Sequence, residues 1–433
     1  MTFESQFPPD FRKEDIENVL RFVTAGKFAQ LICLPGNGKA TLLRLLAKNQ
    51  NIRKLHLGAK EKSTRFIYIN MLELEKYDQA SVDEFLLHAT DPKIKRSADP
   101  ITLSKQLKDT VGGLTQNLTL VLLFDHFDEF QNHLFRSFFQ RLRTLKNESR
   151  YKFACVFATR RDLRQLVDQE IIREFYDFFV GNSVYMRLYD KKAIETMLSQ
   201  IEKVFGKKLS AEQKINIINL TSGHTKLTRL CAETILQENL SLEIESFITK
   251  PIVRSTIFEL WLFLTAQEQH TLIQIVTKNP VSQNESVENL LNFGLLKEAG
   301  LPSHHPTIPQ PNNLLFTIPL FEAFIRTNAS TLHREKISYN PNTNEITKGE
   351  EIISGLLSPQ ENRLLKFLIE NQGKIIDREE IIKAAWPEAL QAEGISDEAI
   401  DQMMFRLRKK IEDEPNNPKH ILTVKGLGFR FQP

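Results

Sequence analysis

The chain has little of what marks a secreted, membrane-bound or broadly electrostatic protein. Its three cysteines, Cys33, Cys155 and Cys231, lie far apart in apolar surroundings. They form neither a disulfide framework nor a zinc-ligand spacing and read as reduced core residues. The formal net charge is only +3, too small for bulk adhesion to a polyanion, so any such grip must come from a local patch. The longest apolar run, residues 118–124, has the length of a strand and is too short to span a membrane. The opening MTFESQFPPDFRKED carries acidic residues and no apolar leader stretch, which gives the expectation of a cytoplasmic protein with no membrane partner. No internal sequence repeat is evident, and no nucleophile–histidine–acid set points to a hydrolase of that kind.

What is present is ordinary soluble-protein composition, 41% hydrophobic and 26% charged over 433 residues, enough for two to four domains. Apolar runs at 28–34, 66–70, 118–125, 153–159 and 184–188 alternate with helical stretches. Continuous apolar strands in that order predict a parallel sheet covered on both faces. From about 191 to 245 the spacing is helical, as in Ile194, Met197, Leu198 and Ile201. From 251 to 327, helices precede a hairpin pattern. Residues 328–350 are polar and read as a linker or a short hairpin. The expected layout is an α/β P-loop domain at 1–189, a helical lid at 190–250, a winged helix at 251–330, a linker at 331–350 and a C-terminal winged helix-turn-helix at 351–433.

Pro35, Gly36, Asn37, Gly38, Lys39, Ala40 and Thr41 follow the first strand and open an amphipathic helix. Glycines at such a turn let backbone N–H groups wrap a phosphate, and the helix N-terminus and a lysine add positive potential. The bland alternative is a glycine turn entering a helix. Against G-x-x-x-x-G-K-[ST], Cys33 stands at the first glycine and Ala40 at the hydroxyl. In LVLLFDHFDEF, Asp125 ends a buried strand and needs a cation or donor partner, which places it to hold Mg²⁺. Asp128 and Glu129 follow at the strand mouth, positioned to polarise a water or to cap the next helix. Arg160, just past another buried strand, is placed to reach a terminal phosphate, and Arg161 reads as a surface charge.

At these residues the chain resembles the STAND-type P-loop ATPases, a branch of the AAA+-like NTPases. LLFDHFDE matches their h-h-h-h-D-x-x-D-E pattern, and Ala158-Thr159-Arg160 their T-[TS]-R strand end. SGHTKLTRL, with Gly223 and His224, stands where their lid motif lies, Thr225 replacing its proline; His224 also reads simply as a helix start. The resemblance covers roughly residues 11–327 and implies ATP or ADP as cofactor and a nucleotide-controlled switch, with nucleotide-dependent self-association. A methyl at Ala40 cannot supply the usual Mg²⁺ ligand, and Thr41 lies about 100° further round the helix. Nucleotide binding is therefore expected with weak or absent hydrolysis.

Residues 357–431 read as a helical unit, a basic helix and a glycine-bearing hairpin. Ile400, Met404, Leu407 and Ile411 form the core stripe of the basic helix. That leaves Gln402, Phe405, Arg406, Lys409 and Lys410 outward, with Arg408 close by. Such a face neutralises phosphates or reads guanine in a major groove. The hairpin turns at Gly426, with Lys425 and Arg430 supplying charge. The bland reading is a basic solvated face on a protein-binding module. The whole segment, from LSPQENRLL to TVKGLGFRF, strongly resembles the OmpR/PhoB-type winged-helix domain. That family binds direct-repeat duplex DNA and regulates transcription, often beside RNA polymerase. Arg406, Arg408, Lys409 and Thr423 stand at matched positions, whereas Glu398 replaces a usual arginine and Met403 and Phe405 replace polar residues, reading as an exposed apolar pair.

Together these features predict a DNA-binding transcriptional regulator gated by nucleotide. An AAA+ replication initiator, or a STAND stress or phage sensor whose last domain binds protein, are the alternatives. His304 and His305 read as loop residues, Trp261 and Trp386 as core, and the basic run 93–96 as a solvated loop.

Overall fold

The computed structural model describes residues 3–432 apart from 131–134, 239, 282–283, 300–312, 335–336, 342, 349–350, 388–394, 413–414, 417 and 425. His304 and His305 thus lie outside the described residues. Two compact units form, one from Met1–Glu268 and Pro280–Ala323, the other from Gln269–Asn279 and Phe324–Pro433.

In the first unit, β1 (Ala29–Ile32), β2 (Thr64–Asn70), β3 (Thr119–Asp125), β4 (Phe153–Thr159) and β5 (Ser183–Tyr185) make one five-stranded sheet in the order β2-β3-β4-β1-β5. Every pairing is parallel. Each run expected from the sequence overlaps one of these strands; the first is trimmed at both ends, the second starts earlier, at Thr64, and the last spans only Ser183–Tyr185. β1 and β4 are buried at every residue, as a sheet covered on both faces requires. A phenylalanine cluster fills one side of the sheet, with Phe124 and Phe157 stacked at 5.6 Å between Phe127, Phe138 and Phe139. Offset ring packing of this kind adds to the area term.

Helices α1 (Lys13–Val23) and α2 (Lys39–Lys48) flank β1 in sequence. After β5 come the helices Lys191–Phe205 and Ala211–Thr221 and then α3 (Thr225–Gln237). Side chains of Asp190 and Ser210 cap the first two, satisfying orphan N–H groups. α4 (Pro251–Phe263), with Pro251 in its first turn, leads to α5 (Ala266–Val276), the helix Glu285–Asn292 and a hairpin of β6 (Leu296–Glu298) and β7 (Leu314–Phe316). Trp261 is buried, as expected.

In the second unit, the polar stretch 328–350 takes the hairpin alternative. β8 (Ile337–Asn340) pairs with β9 (Glu345–Lys348), and β10 (Glu351–Ile352) extends that sheet. α6 (Pro359–Glu370) starts on a capping box between Ser358 and Glu361. β11 (Ile375–Ile376), α7 (Arg378–Ala385), α8 (Asp397–Ile411), β12 (Ile421–Val424) and β13 (Gly428–Phe431) complete it, with strand order β11-β13-β12. Ile400, Met404, Leu407 and Ile411 are all buried in one core with Leu364, Leu368 and Phe431. Met403 differs from expectation. It is 1% exposed, because the core-facing arc of α8 is wide enough to take positions 403 and 404 together.

Gly428 sits where β13 crosses β11. Its φ is +135°, and a Cβ there would come within 2.1 Å of the Ile376 carbonyl oxygen. Only glycine fits that approach.

Candidate functional site

Strand β1 ends on a turn that α2 completes. Gly36 and Gly38 hold φ of +71° and +85°, and Gly38 caps α2 without a side-chain bond. The first amides of α2 therefore have no side-chain cap, the arrangement that suits an anion. A cleft of about 260 Å³ opens there, lined by residues 34–40 with His126, Arg160 and Glu259.

Asp128 lies between the two cations of this cleft. Lys39 Nζ donates to its Oδ1 at 3.1 Å, and Arg160 Nε to its Oδ2 at 2.6 Å. Burial pushes the Asp128 carboxyl up, but the charges of Lys39 and Arg160 outweigh it and hold the group below its ordinary range. Thr159, one residue before Arg160, is fully buried and does not line the cleft, and its hydroxyl has no hydrogen-bond partner. Two cations and an open helix start fit phosphate groups. Asp125 is fully buried, accepting from its neighbour's amide, His126 N, at 2.9 Å and from the Tyr68 hydroxyl at 2.6 Å. Glu129 lies in a short turn after β3, and its side chain is outside the described residues.

The start of α3 presses on the other side of the turn. His224 Nε2 donates to the Pro35 carbonyl at 2.9 Å while its Nδ1 accepts from Leu227 N, so the ring is neutral with its proton on Nε2. It is the N-cap of α3, as its helix-start reading has it. Burial pushes its pKa down to about 4. Lys226 N donates to the Gly36 carbonyl at 3.0 Å, and the Asn37 amide bridges the Arg187 carbonyl and the Thr225 hydroxyl. A Cβ on Gly36 would come 2.9 Å from Lys226 Cβ. Gly223 allows the approach, since its φ is +87° and a Cβ would meet the Tyr189 carbonyl at 2.1 Å. The sequence motif names these residues, but not their hold on the phosphate turn.

Arg161 is not a surface charge. Its guanidinium makes two bonds to Glu268, at 2.8 and 2.7 Å, and one to the Phe263 carbonyl, and stacks 4.1 Å from the Phe263 ring. Glu268 is 1% exposed. Burying a carboxylate there demands a paired cation, and the forked guanidinium at the end of β4 is in reach.

In the second unit, Gln402, Phe405, Arg406, Lys409 and Lys410 are exposed on α8. Lys409 Nζ lies 4.9 Å from the Phe405 ring, and Lys410 is engaged by Glu361 at 2.6 Å. Arg408 turns inward. It donates to the Ile421 carbonyl at 2.9 and 2.6 Å and to the Thr423 hydroxyl at 2.8 Å, tying helix to hairpin. Gly426 turns the hairpin at φ +77°. Arg430 pairs in register with Ile375 and Leu422, and Lys425 is outside the described residues. Arg378 bridges Asp397 and Asp401 in the acidic first turns of α8, a role with no signal in the sequence. Glu398, Asp401, Gln402, Phe405 and Arg406 line a groove of about 440 Å³.

The family model described as "Transcriptional regulatory protein, C terminal" matches residues 353–431. This part of the chain is an OmpR/PhoB-type winged helix. The OmpR/PhoB-type domain is 38% identical over 76 residues to the transcriptional regulatory protein KdpE of Mycobacterium tuberculosis, covering 18% of this chain and 32% of KdpE. The chain thus spans about a third of that relative's length. The remaining region is a five-stranded parallel α/β fold with a glycine turn after its first strand. Solved structures similar to it are the Walker-type ATPase PABY2304 of Pyrococcus abyssi, 15% identical with a TM-score of 0.46 over 73% of this chain and 95% of that one. Cdc6p of Pyrobaculum aerophilum is 14% identical with a TM-score of 0.40, covering 80% and 91%.

No helix among the described residues is long and apolar enough to cross a membrane. The three cysteines are free and buried.

Proposed function

We propose that the chain is a cytoplasmic, sequence-specific regulator of transcription whose DNA binding is gated by ATP or ADP at the glycine turn. The observation that carries the DNA half is the match of residues 353–431, whose α8 leaves Arg406 and Lys409 exposed beside a glycine hairpin. Double-stranded DNA is the ligand, with RNA polymerase as a neighbour on the promoter. The nucleotide half is supported by the cleft at residues 34–40, its two cations and the uncapped start of α2. Residues 1–189, 190–250 and 251–330 are then core, lid and winged helix of the switch, 331–350 a link, and 351–433 the reader.

When bound, the nucleotide supplies phosphate oxygens as acceptors and a second anion in the cleft. Lys39, Arg160 and the α2 amides hold those oxygens, and Asp128 gives up part of its grip on both cations. His224 and Lys226 feel any movement of the turn through Pro35 and Gly36. Ala40 offers no hydroxyl, so turnover is slow or absent, and the nucleotide acts as a signal that also favours self-association.

Mobility shifts on duplex DNA with apo, ADP-bound and ATP-bound protein test the gate, with Lys39→Ala as control. Identical affinity in all four states removes it. Exposed Phe405 and Leu427 favour a protein-binding end as the second reading. Binding that is insensitive to rising salt supports that reading, because phosphate contacts weaken steeply.

A further inference from the structure

The Asp125 carboxylate is the natural magnesium holder of this cleft, yet its surroundings are closed. Mg²⁺ demands near-octahedral oxygen ligands at about 2.0–2.1 Å and dehydrates reluctantly. Asp125 is fully buried and is not among the residues lining the cleft. One of its oxygens takes the backbone amide of His126, and the other takes the Tyr68 hydroxyl at 2.6 Å. Tyr68 comes from β2, the strand that pairs with β3 along its whole length, so sheet register fixes the phenol there. The hydroxyl that would complete a metal site from the α2 side is missing, since Ala40 offers a methyl. Glu259, the one carboxylate among the described residues that line the cleft, is drawn to Lys226 at 2.7 Å. No group of three or more metal-ligating side chains occurs among the described residues. Lys39, Arg160 and the α2 amides remain to face the phosphates.

We propose that this site takes a nucleoside di- or triphosphate free of divalent metal, and that the Tyr68 hydroxyl closes the position a cation would otherwise use at Asp125. The proposal rests on the nucleotide reading above. Tyr68 is a positioning residue here. It satisfies a buried carboxylate that would otherwise draw in a cation, as a buried charge without a donor does.

Calorimetric titration of the full chain with ADP and with ATP, each in EDTA and in excess Mg²⁺, tests this. The expected result is an ADP affinity unchanged within about threefold, and an ATP affinity unchanged or weakened by Mg²⁺, because the metal competes for the triphosphate. Tightening of either nucleotide by about tenfold or more with Mg²⁺ overturns the proposal and leaves the nucleotide reading intact. No heat and no binding in any buffer overturns both. The Tyr68→Phe, Ala40→Thr double variant is expected to gain metal-dependent tightening of about tenfold or more. With Mn²⁺ in place of Mg²⁺ it is expected to show a protein-bound electron paramagnetic resonance signal that the wild type lacks. A folded double variant as indifferent to metal as the wild type removes Tyr68 from that role. If the variant does not fold, the wild-type titrations still decide.

Discussion

Acidification should loosen the first unit through His224, and the size of the effect follows from its burial. Folded, the ring is neutral, fully buried and bonded at both nitrogens, with a pKa pushed to about 4 against an ordinary 6.5. Above pH 6.5 folded and unfolded chains both hold it neutral, and its contribution to stability is complete. As pH falls below 6.5 the unfolded chain binds a proton that the folded chain refuses until about 4, so stability drops through that window. At about pH 5 the loss is roughly 2 kcal/mol, taking ~1.4 kcal/mol per pH unit between the two states. His224→Asn keeps a good N-cap and cannot titrate. Of the two tryptophans, Trp261 sits in the first unit, so a Trp386→Phe background makes it the sole reporter of urea unfolding. His56, which burial also lowers, is common to both proteins and cancels. The wild type should lose about 2 kcal/mol more than His224→Asn between pH 7 and 5. Parallel pH profiles for the two would refute the reasoning.

Three further perturbations follow from contacts described above. Arg161→Ala leaves Glu268 buried and unpaired, and should destabilise the first unit by about 3–5 kcal/mol; a loss below about 1 kcal/mol in the same fluorescence assay means that the pair is dispensable. On DNA, Arg406→Ala and Lys409→Ala should each lower the salt slope of binding by about 0.9, whereas Lys410→Ala, already engaged by Glu361, should leave it unchanged; equal slopes for all three contradict that division of the helix. Gly428→Ala forces a Cβ against the Ile376 carbonyl, so hydrogen exchange at Ile375 and Ile376 should accelerate by at least about tenfold, and unaltered protection there counts against the close approach.

Some of this architecture was plain in the residues. Five apolar runs became five parallel strands because a strand buried on both faces leaves an unbroken hydrophobic signature. The stripe Ile400, Met404, Leu407, Ile411 showed the inner face of α8, though not its width, and Met403 went inward with it. Pairings between distant segments were not legible. Arg161 looks like any charge after a strand until Glu268, over a hundred residues on, is folded beside it. Tyr68 is an ordinary strand aromatic in sequence, and only the β2–β3 register brings its hydroxyl to Asp125. Arg408 reads as one more cation beside the outward face until the Ile421 carbonyl and the Thr423 hydroxyl of the hairpin turn it inward. A motif records which groups a site owns; the sheet decides which of them are already engaged.

Asp128 gives the cleft a character of its own. A carboxylate in the short turn after β3 already occupies both Lys39 and Arg160, so an arriving phosphate would meet a tethered rival whose effective concentration does not change with dilution. Binding becomes replacement of one anion by another, with little change in the local field. On the nucleotide reading proposed above, the empty protein is a defined resting state with its cations quenched, and the reach and grip of a single aspartate set the nucleotide level at which it would switch.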